Sequence, residues 1–240
     1  MLMDEFKAGH DRRLGCLRNR HEGERVVLVA NGPSLNRMDT AFLRRETTIG
    51  LNKIFLGFRR LRFYPRYYVS VNRKVIEQSA SEIRAMKCVK LLGREACGGL
   101  IHEDALTYLI STANPRDRFY RDITRGVHEG WTVTYAALQA AYFLGFKEVV
   151  LIGMDHRYTY NGEPNEAQRL DGPDLNHFSE HYFGFGQQWD NPDLAHSEES
   201  YRIARSVYEQ DGRRIIDATL DGACTIFEKA DYRKLFGLTT

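Results

Sequence analysis

Arg25-Val26-Val27-Leu28-Val29-Ala30 runs straight into Asn31-Gly32-Pro33-Ser34-Leu35. The first stretch is apolar and rich in β-branched residues; the glycine and proline that follow break it abruptly. This is the pattern of a buried strand followed by a tight loop.

Working outward, the same unit recurs. Thr47 to Leu51 reads as a second strand ending at Asn52, and Tyr67 to Val71 as a third ending at Asn72. Arg73 to Met86 has helical spacing through Val75, Ile76, Ile83 and Met86, and Cys88 to Leu92 reads as a further strand. The clearest unit is Thr132 to Gly145, alanine-rich and nearly free of charge, followed by Glu148-Val149-Val150-Leu151-Ile152-Gly153. A buried helix closed by a glycine and then a fully buried strand explain it. A helix from about Ser197 to Gln210, a turn at Asp211-Gly212 and a strand from Arg214 to Ala218 complete the series. This alternation, without an internal repeat or a low-complexity linker, predicts one doubly wound α/β domain over residues 1–240: a Rossmann-like, mostly parallel sheet flanked by helices.

Met154 to His196 departs from the pattern. It has few aliphatic residues but many glycines, prolines, histidines and aromatics, among them Tyr158, Tyr160, Phe178, Tyr182, Phe183 and Trp189. So long a loop in a compact domain is functional or disordered, and its aromatics argue against disorder. The expectation is an ordered lid or acceptor platform over residues 154–196.

Composition narrows the function classes. Thirty-four basic and 32 acidic residues leave a net charge of +2, too little for a uniform field that would hold nucleic acid. Cys16, Cys88, Cys97 and Cys224 lack the paired spacing of a zinc or redox motif and read as reduced thiols. Met1 to Gly9 carries Asp4, Glu5 and Lys7 where a signal peptide needs an apolar stretch, so the expected location is cytoplasmic. Arg12, Arg13, Arg18, Arg20 and Arg25, interspersed with Leu14 and Leu17, make His10 to Arg25 a candidate for peripheral contact with the anionic inner membrane face. A solvated N-terminal helix is the alternative.

Three strands in succession end at or just before an asparagine: Asn31, Asn52 and Asn72. Open parallel sheets bind ligands outside the carboxyl ends of their strands, but asparagine also caps turns well. In Asn31-Gly32-Pro33-Ser34 the glycine admits close backbone approach to a ligand, with side-chain hydrogen bonds on either side. The loop has neither the dinucleotide fingerprint nor the P-loop pattern.

Read together, this loop, Asn52 after the second strand, and Leu144-Gly145-Phe146-Lys147-Glu148-Val149 leading to Gly153-Met154-Asp155 resemble the bacterial sialyltransferases of glycosyltransferase family forty-two. His196-Ser197 before a helix fits the same order. The wider superfamily includes 6-hydroxymethylpterin pyrophosphokinase-like proteins. The resemblance implies a GT-A-variant glycosyltransferase fold that binds a cytidine monophosphate sugar without a metal. Its donor-binding candidates are Asn31, Gly32, Pro33, Ser34, Asn52, Asn72, Thr132 and Asp155. Tyr158 and Tyr160 lie where the family places tyrosines on the leaving phosphate, although Tyr158 matches with a one-residue slip and Tyr160 has no clean counterpart. The family's arginine before the buried helix is missing, leaving Arg121 or Arg125 as replacements.

The residues themselves bear on the metal. No DxD triplet follows a strand, and Asp171-Gly172-Pro173-Asp174 has the wrong spacing. A monophosphate leaving group also needs less neutralisation than a diphosphate, and hydroxyl, amide and guanidinium donors can provide it. Transfer to a hydroxyl needs a base that works near neutral pH, which suits histidine. The candidates are His177, in the polar cluster Asp174-Leu175-Asn176-His177-Phe178, His181, and His196 beside Ser197. His177 and His181 also have the i, i+4 spacing of a zinc pair, against which their glycine and proline neighbours argue.

Three functions follow as expectations. The first is inverting transfer of a sialic-acid-like or Kdo-like sugar from its cytidine monophosphate form to a glycan acceptor, with no cofactor beyond that donor. The second is ATP-dependent pyrophosphoryl transfer to a pterin, with Asp155, Asp171 and Asp174 holding magnesium. The third is noncatalytic binding of a nucleotide sugar.

Overall fold

The computed structural model describes residues 12–113 and 118–238. The strands are β1 (Arg25–Val29), β2 (Thr48–Leu51), β3 (Tyr67–Ser70), β4 (Val89–Gly93), β5 (Thr107–Ile110), β6 (Glu148–Ile152), β7 (Ala167–Leu170), β8 (Gln187–Asp190), β9 (Arg214–Asp217) and β10 (Glu228–Lys229). Eight of them form one sheet in the order β10-β9-β6-β1-β2-β3-β4-β5. Every neighbouring pair in it is parallel. The main helices are α1 (Arg73–Ala85), α2 (Arg94–Cys97), α3 (Val133–Leu144), α4 (Leu194–Gln210) and α5 (Tyr232–Leu235).

The α/β architecture expected from the alternation is present. Along β1, Val26 and Leu28 pack into one core layer with α3, whereas Val27 and Val29 pack into the other with α1. Period-2 alternation between two apolar layers is why the strand has no polar face. Helix α3 follows from its sequence: alanine-rich, started by Thr132, whose hydroxyl accepts from Thr134 N, and stopped by Gly145 in the left-handed region at φ 96°.

From β1 the chain builds outward through β2 to β5, then returns to β6 on the other side of β1 and continues to β9 and β10. The order therefore reverses at the β1–β6 pair, and the crevice at their carboxyl ends is the topological switch point where open α/β sheets bind ligands.

Three expectations need correction. Residues 154–196 are not a continuous loop, because β7 and β8 pair as an antiparallel ribbon and Phe178, Tyr182, Phe183 and Trp189 are buried. Helix α4, expected from about Ser197, starts at Leu194, capped by Asp193 and not by Ser197, so His196 lies in its first turn. In the basic N-terminal segment, Leu14 and Leu17 pack into the core, and Arg18 pairs with Asp122 at 2.6 Å. Those leucines offer no apolar face to a membrane; residues 10 and 11 of that segment lie outside the described residues. No helix among the described residues is long and apolar enough to cross a membrane.

Candidate functional site

A cleft of about 740 Å³ opens at the carboxyl ends of the central strands. Asn52 and Asn72 line it from the sheet, His128 to Val133 from the start of α3, Tyr158, His177, Tyr182 and Phe183 from the segment after β6, and Trp189 to Asp193 from the end of the ribbon. An inner recess of about 80 Å³, bounded by Asn31, Gly32, His156 and Tyr201, shares Asn52, Thr132, Tyr158 and His177 with the cleft.

The floor is a suture between the loops that follow β1 and β6. Asp155 accepts from Ser34 N at 2.9 Å and from Ser34 Oγ at 2.6 Å, and Gly32 N donates to Gly153 O at 2.7 Å. A Cβ on Gly32 would fall 1.9 Å from Asp155 Oδ2, so only glycine fits. Burial raises the Asp155 carboxyl, and the Ser34 hydrogen bonds offset part of that shift. Pro33, Ser34 and Asp155 line neither the cleft nor the recess. Ser34 and Asp155 hold the floor together.

The asparagines divide. Asn31 is buried; its Nδ2 donates to Leu51 O at 3.1 Å, while its Oδ1 has no partner among the described residues. Asn52 has a left-handed backbone, φ 45°, and its Oδ1 accepts from Ser70 Oγ at 3.0 Å. Asn72 caps α1, accepting from Val75 N at 3.0 Å, and also lines the cleft, so capping and lining coexist there. Thr132 combines the same two roles at α3.

Tyr158 reaches the cleft, its phenol pushed up to about 12 by burial, with Asp155 and Asp174 adding to the shift. Tyr160 does not reach it: its hydroxyl donates to Pro192 O at 3.2 Å. Arg121 pairs with Asp211 at 3.1 Å, at the far end of α4, and Arg125 is exposed on a 3-10 turn away from the cleft. Neither lines the cleft, and no lysine or arginine among the described residues does.

Two histidine–aspartate pairs with i, i+3 spacing flank the opening. His177 Nδ1 lies 2.8 Å from Asp174 Oδ2, and the ring is almost wholly buried. Burial works to raise the Asp174 carboxyl, but the His177 ring and the amides of Asn176 and Phe183 outweigh it and the net shift is downward. His196 Nδ1 lies 2.7 Å from Asp193 Oδ2, with its ring half exposed and stacked on Trp131. Each carboxylate fixes the proton on Nδ1 and leaves the Nε2 lone pair for chemistry. His181 is exposed beside Glu180 and shares no site with His177. Asp171 is exposed beside Arg169, and Asp155 and Asp174 are committed to Ser34 and His177, so the three do not converge. No group of three potential metal ligands occurs among the described residues.

Sequence reasoning passed over His128, Glu129, Trp131, His156 and Lys53. The first three precede the Thr132 cap, and a polar and aromatic loop just before a buried helix is the signal that marks them. Burial lowers the His128 pKa, assisted by Arg118, and its Nδ1 accepts from Gly130 N at 2.9 Å. Glu129 is exposed on its outer side but stands in the concave cleft, and desolvation there raises its carboxyl. His156, with a left-handed backbone at φ 53°, lies 3.3 Å from Glu198. Lys53 lies beneath the cleft wall, donating to Tyr182 O at 2.7 Å and Gln78 Oε1 at 2.8 Å, and is pushed down to about 8 by burial.

No protein-family model matches the chain, and no curated protein matches it. Among solved structures, the fold is similar to that of the Maf glycosyltransferase from Magnetospirillum magneticum AMB-1, with a TM-score of 0.55 and 13% sequence identity. The match covers 91% of this chain and 37% of that one. At that identity the likeness is one of fold.

Proposed function

We propose that the chain is an inverting glycosyltransferase that moves a sialic-acid-like or Kdo-like sugar from its cytidine monophosphate form to a glycan hydroxyl. The observation that carries this reading is the His177–Asp174 pair, buried at the edge of a cleft at the switch point of a parallel sheet. The fold neighbour is itself a glycosyltransferase, which supports the class. The strand-end loops and their resemblance to family forty-two support the donor.

The acceptor hydroxyl gives its proton to His177 Nε2 as its oxygen forms the new bond to the anomeric carbon. The bond from that carbon to the phosphate oxygen breaks, and cytidine monophosphate leaves with the electron pair. Asp174 stabilises the imidazolium that forms. With no lysine or arginine among the described residues lining the cleft, the leaving phosphate is held by the amides at the start of α3, a 12-residue helix whose dipole favours an anion there, and by the Tyr158 hydroxyl. Asn31 and Asn52 hold the nucleoside. The metal-independent reading rests on the monophosphate leaving group and on the lack of a DxD triplet after a strand.

Titration calorimetry with cytidine, uridine, adenosine and guanosine monophosphates tests the donor. Tighter binding of the cytidine nucleotide is expected; equal affinities would sink the assignment.

A further inference from the structure

We propose that Trp131 is the platform of an acceptor subsite that takes an uncharged pyranose at the mouth of the cleft, a step that rests on the glycosyltransferase reading above. Trp131 lines the cleft yet is 47% exposed. Its backbone is left-handed, φ 58°, directly after Gly130 at φ 60°. A bulky residue in that region is strained where glycine or asparagine would not be, and such strain persists where a side chain must be presented. The indole contributes little to the core: its near neighbours are the His196 ring, with centroids 4.6 Å apart and planes at 20°, and the His128 ring at 6.0 Å.

His196 therefore covers one indole face, itself held by Asp193 at 2.7 Å. The area left exposed is a flat apolar surface on a rigid stack, the kind of surface that the C–H face of a pyranose covers. Sugar hydroxyls need acceptors around such a face, and Glu129 stands two residues away on the same loop. The ribbon end adds Trp189 and Asn191 to the same lining, where the buried Trp189 Nε1 and Asn191 Oδ1 each have no partner among the described residues. Charge sets the class. Asp190 is paired with Lys74 and Asp193 with His196, but Glu129 also stands in the lining and no lysine or arginine among the described residues does, so the cleft mouth disfavours an acidic acceptor. In this arrangement His196 is a positioning residue that keeps the indole in place.

The test is binding of neutral disaccharides (lactose, N-acetyllactosamine, maltose and cellobiose) to the full chain by saturation-transfer NMR and calorimetry, with glucuronic acid, an acidic pyranose unlike the proposed donor, as the charged control. At least one neutral sugar is expected to bind and to shield tryptophan emission from acrylamide; the chain has two tryptophans and Trp189 is already buried. Trp131→Ala should weaken that sugar about tenfold or more, while Trp131→Phe should hold it within about threefold. His196→Ala should raise the acceptor KM with kcat at saturating acceptor unchanged, and His196→Phe, which restores the stack without a titratable ring, should recover most of it. Cytidine monophosphate affinity and the circular dichroism spectrum should be unaltered in all four variants. The proposal is overturned if no neutral sugar binds, if glucuronic acid binds better, or if Trp131→Ala binds sugar as the unmodified chain does. Sugar binding that depends on Trp131 without any nucleotide binding would uphold the platform and remove the donor assignment instead.

Discussion

The imidazole of His177 lies flat on the phenol ring of Tyr182, with centroids 3.8 Å apart and planes within 2°. With Nδ1 bound to Asp174, the ring can neither rotate about its own axis nor tilt, so Nε2 has one position. His177→Ala should lower transfer by about 10²- to 10⁴-fold, the range for a lost general base, with cytidine monophosphate affinity changed less than about twofold. Asp174→Asn should act in the same direction, because an amide can present its NH₂ to Nδ1 and reverse the tautomer. Steady-state kinetics over a glycan acceptor panel checks both. Full turnover in His177→Ala combined with its loss in His196→Ala would move the base to His196.

The suture between Ser34 and Asp155 joins residues 121 positions apart. Asp155→Ala leaves a buried amide and a hydroxyl without an acceptor and should cost about 1–3 kcal/mol. Gly32→Ala drives a methyl group into the same carboxylate and should cost a similar amount, about 1–3 kcal/mol. Urea denaturation reads both. A Gly32→Ala protein of unchanged stability would show that the loop yields easily and that the glycine is not required by this contact.

Which parts of this arrangement are legible in the sequence depends on whether the determining contacts are local. Strands β1, β2, β3, β4, β6 and β9 can be read because parallel strands buried on both faces leave apolar runs. The edge strand β10 has two residues, too few for a period to register, and β5, four residues like β2, lacks the asparagine or glycine that follows β2 and β6. Strands β7 and β8, Ala167-Gln168-Arg169-Leu170 and Gln187-Gln188-Trp189-Asp190, are largely polar and partly exposed, and pair across a 16-residue connection. Their ribbon is set by the aromatic cluster beneath them, not by local propensity. In the site, Asn31, Gly32 and Asn52 follow from topology alone, since strand ends of one sheet edge converge. That Asp155 accepts from Ser34, and that Tyr160 turns to Pro192, are tertiary facts with no sequence signature.

Lys53 gives a pH-dependent prediction. Its folded pKa, lowered to about 8 from 10.5, means that between these values the unfolded chain binds the proton and the folded chain has released it. Stability should therefore rise with pH across that window, by at most about 1.4 kcal/mol per pH unit, the limit for one proton. Lys53→Met removes this slope and also the donor to Tyr182 O, so it should be less stable than the unmodified chain throughout. Thermal unfolding of both proteins from pH 7.5 to 10 makes the comparison, with other titrating groups common to the two. Parallel curves would show that Lys53 does not release its proton in the fold.

Thr132 joins the stability of α3 to ligand binding. Its hydroxyl accepts from Thr134 N and lies 3.3 Å from Tyr201 OH, and from Thr134 to Leu144 the helix is buried. A buried helix cannot relieve a lost cap by fraying into water, so Thr132→Ala should cost about 0.5–2 kcal/mol and Thr132→Ser should restore most of it. If the phosphate rests on the same helix start, the disordered first turn of Thr132→Ala should also bind cytidine monophosphate several-fold more weakly, whereas Thr132→Ser should bind it normally. Thermal shift with and without the nucleotide separates the two effects: the cap loss appears without ligand, and the phosphate contact appears as a smaller ligand-induced shift. A Thr132→Ala protein that is destabilised but keeps the full ligand-induced shift would place the phosphate elsewhere in the cleft, with Tyr158 as the remaining donor among those proposed.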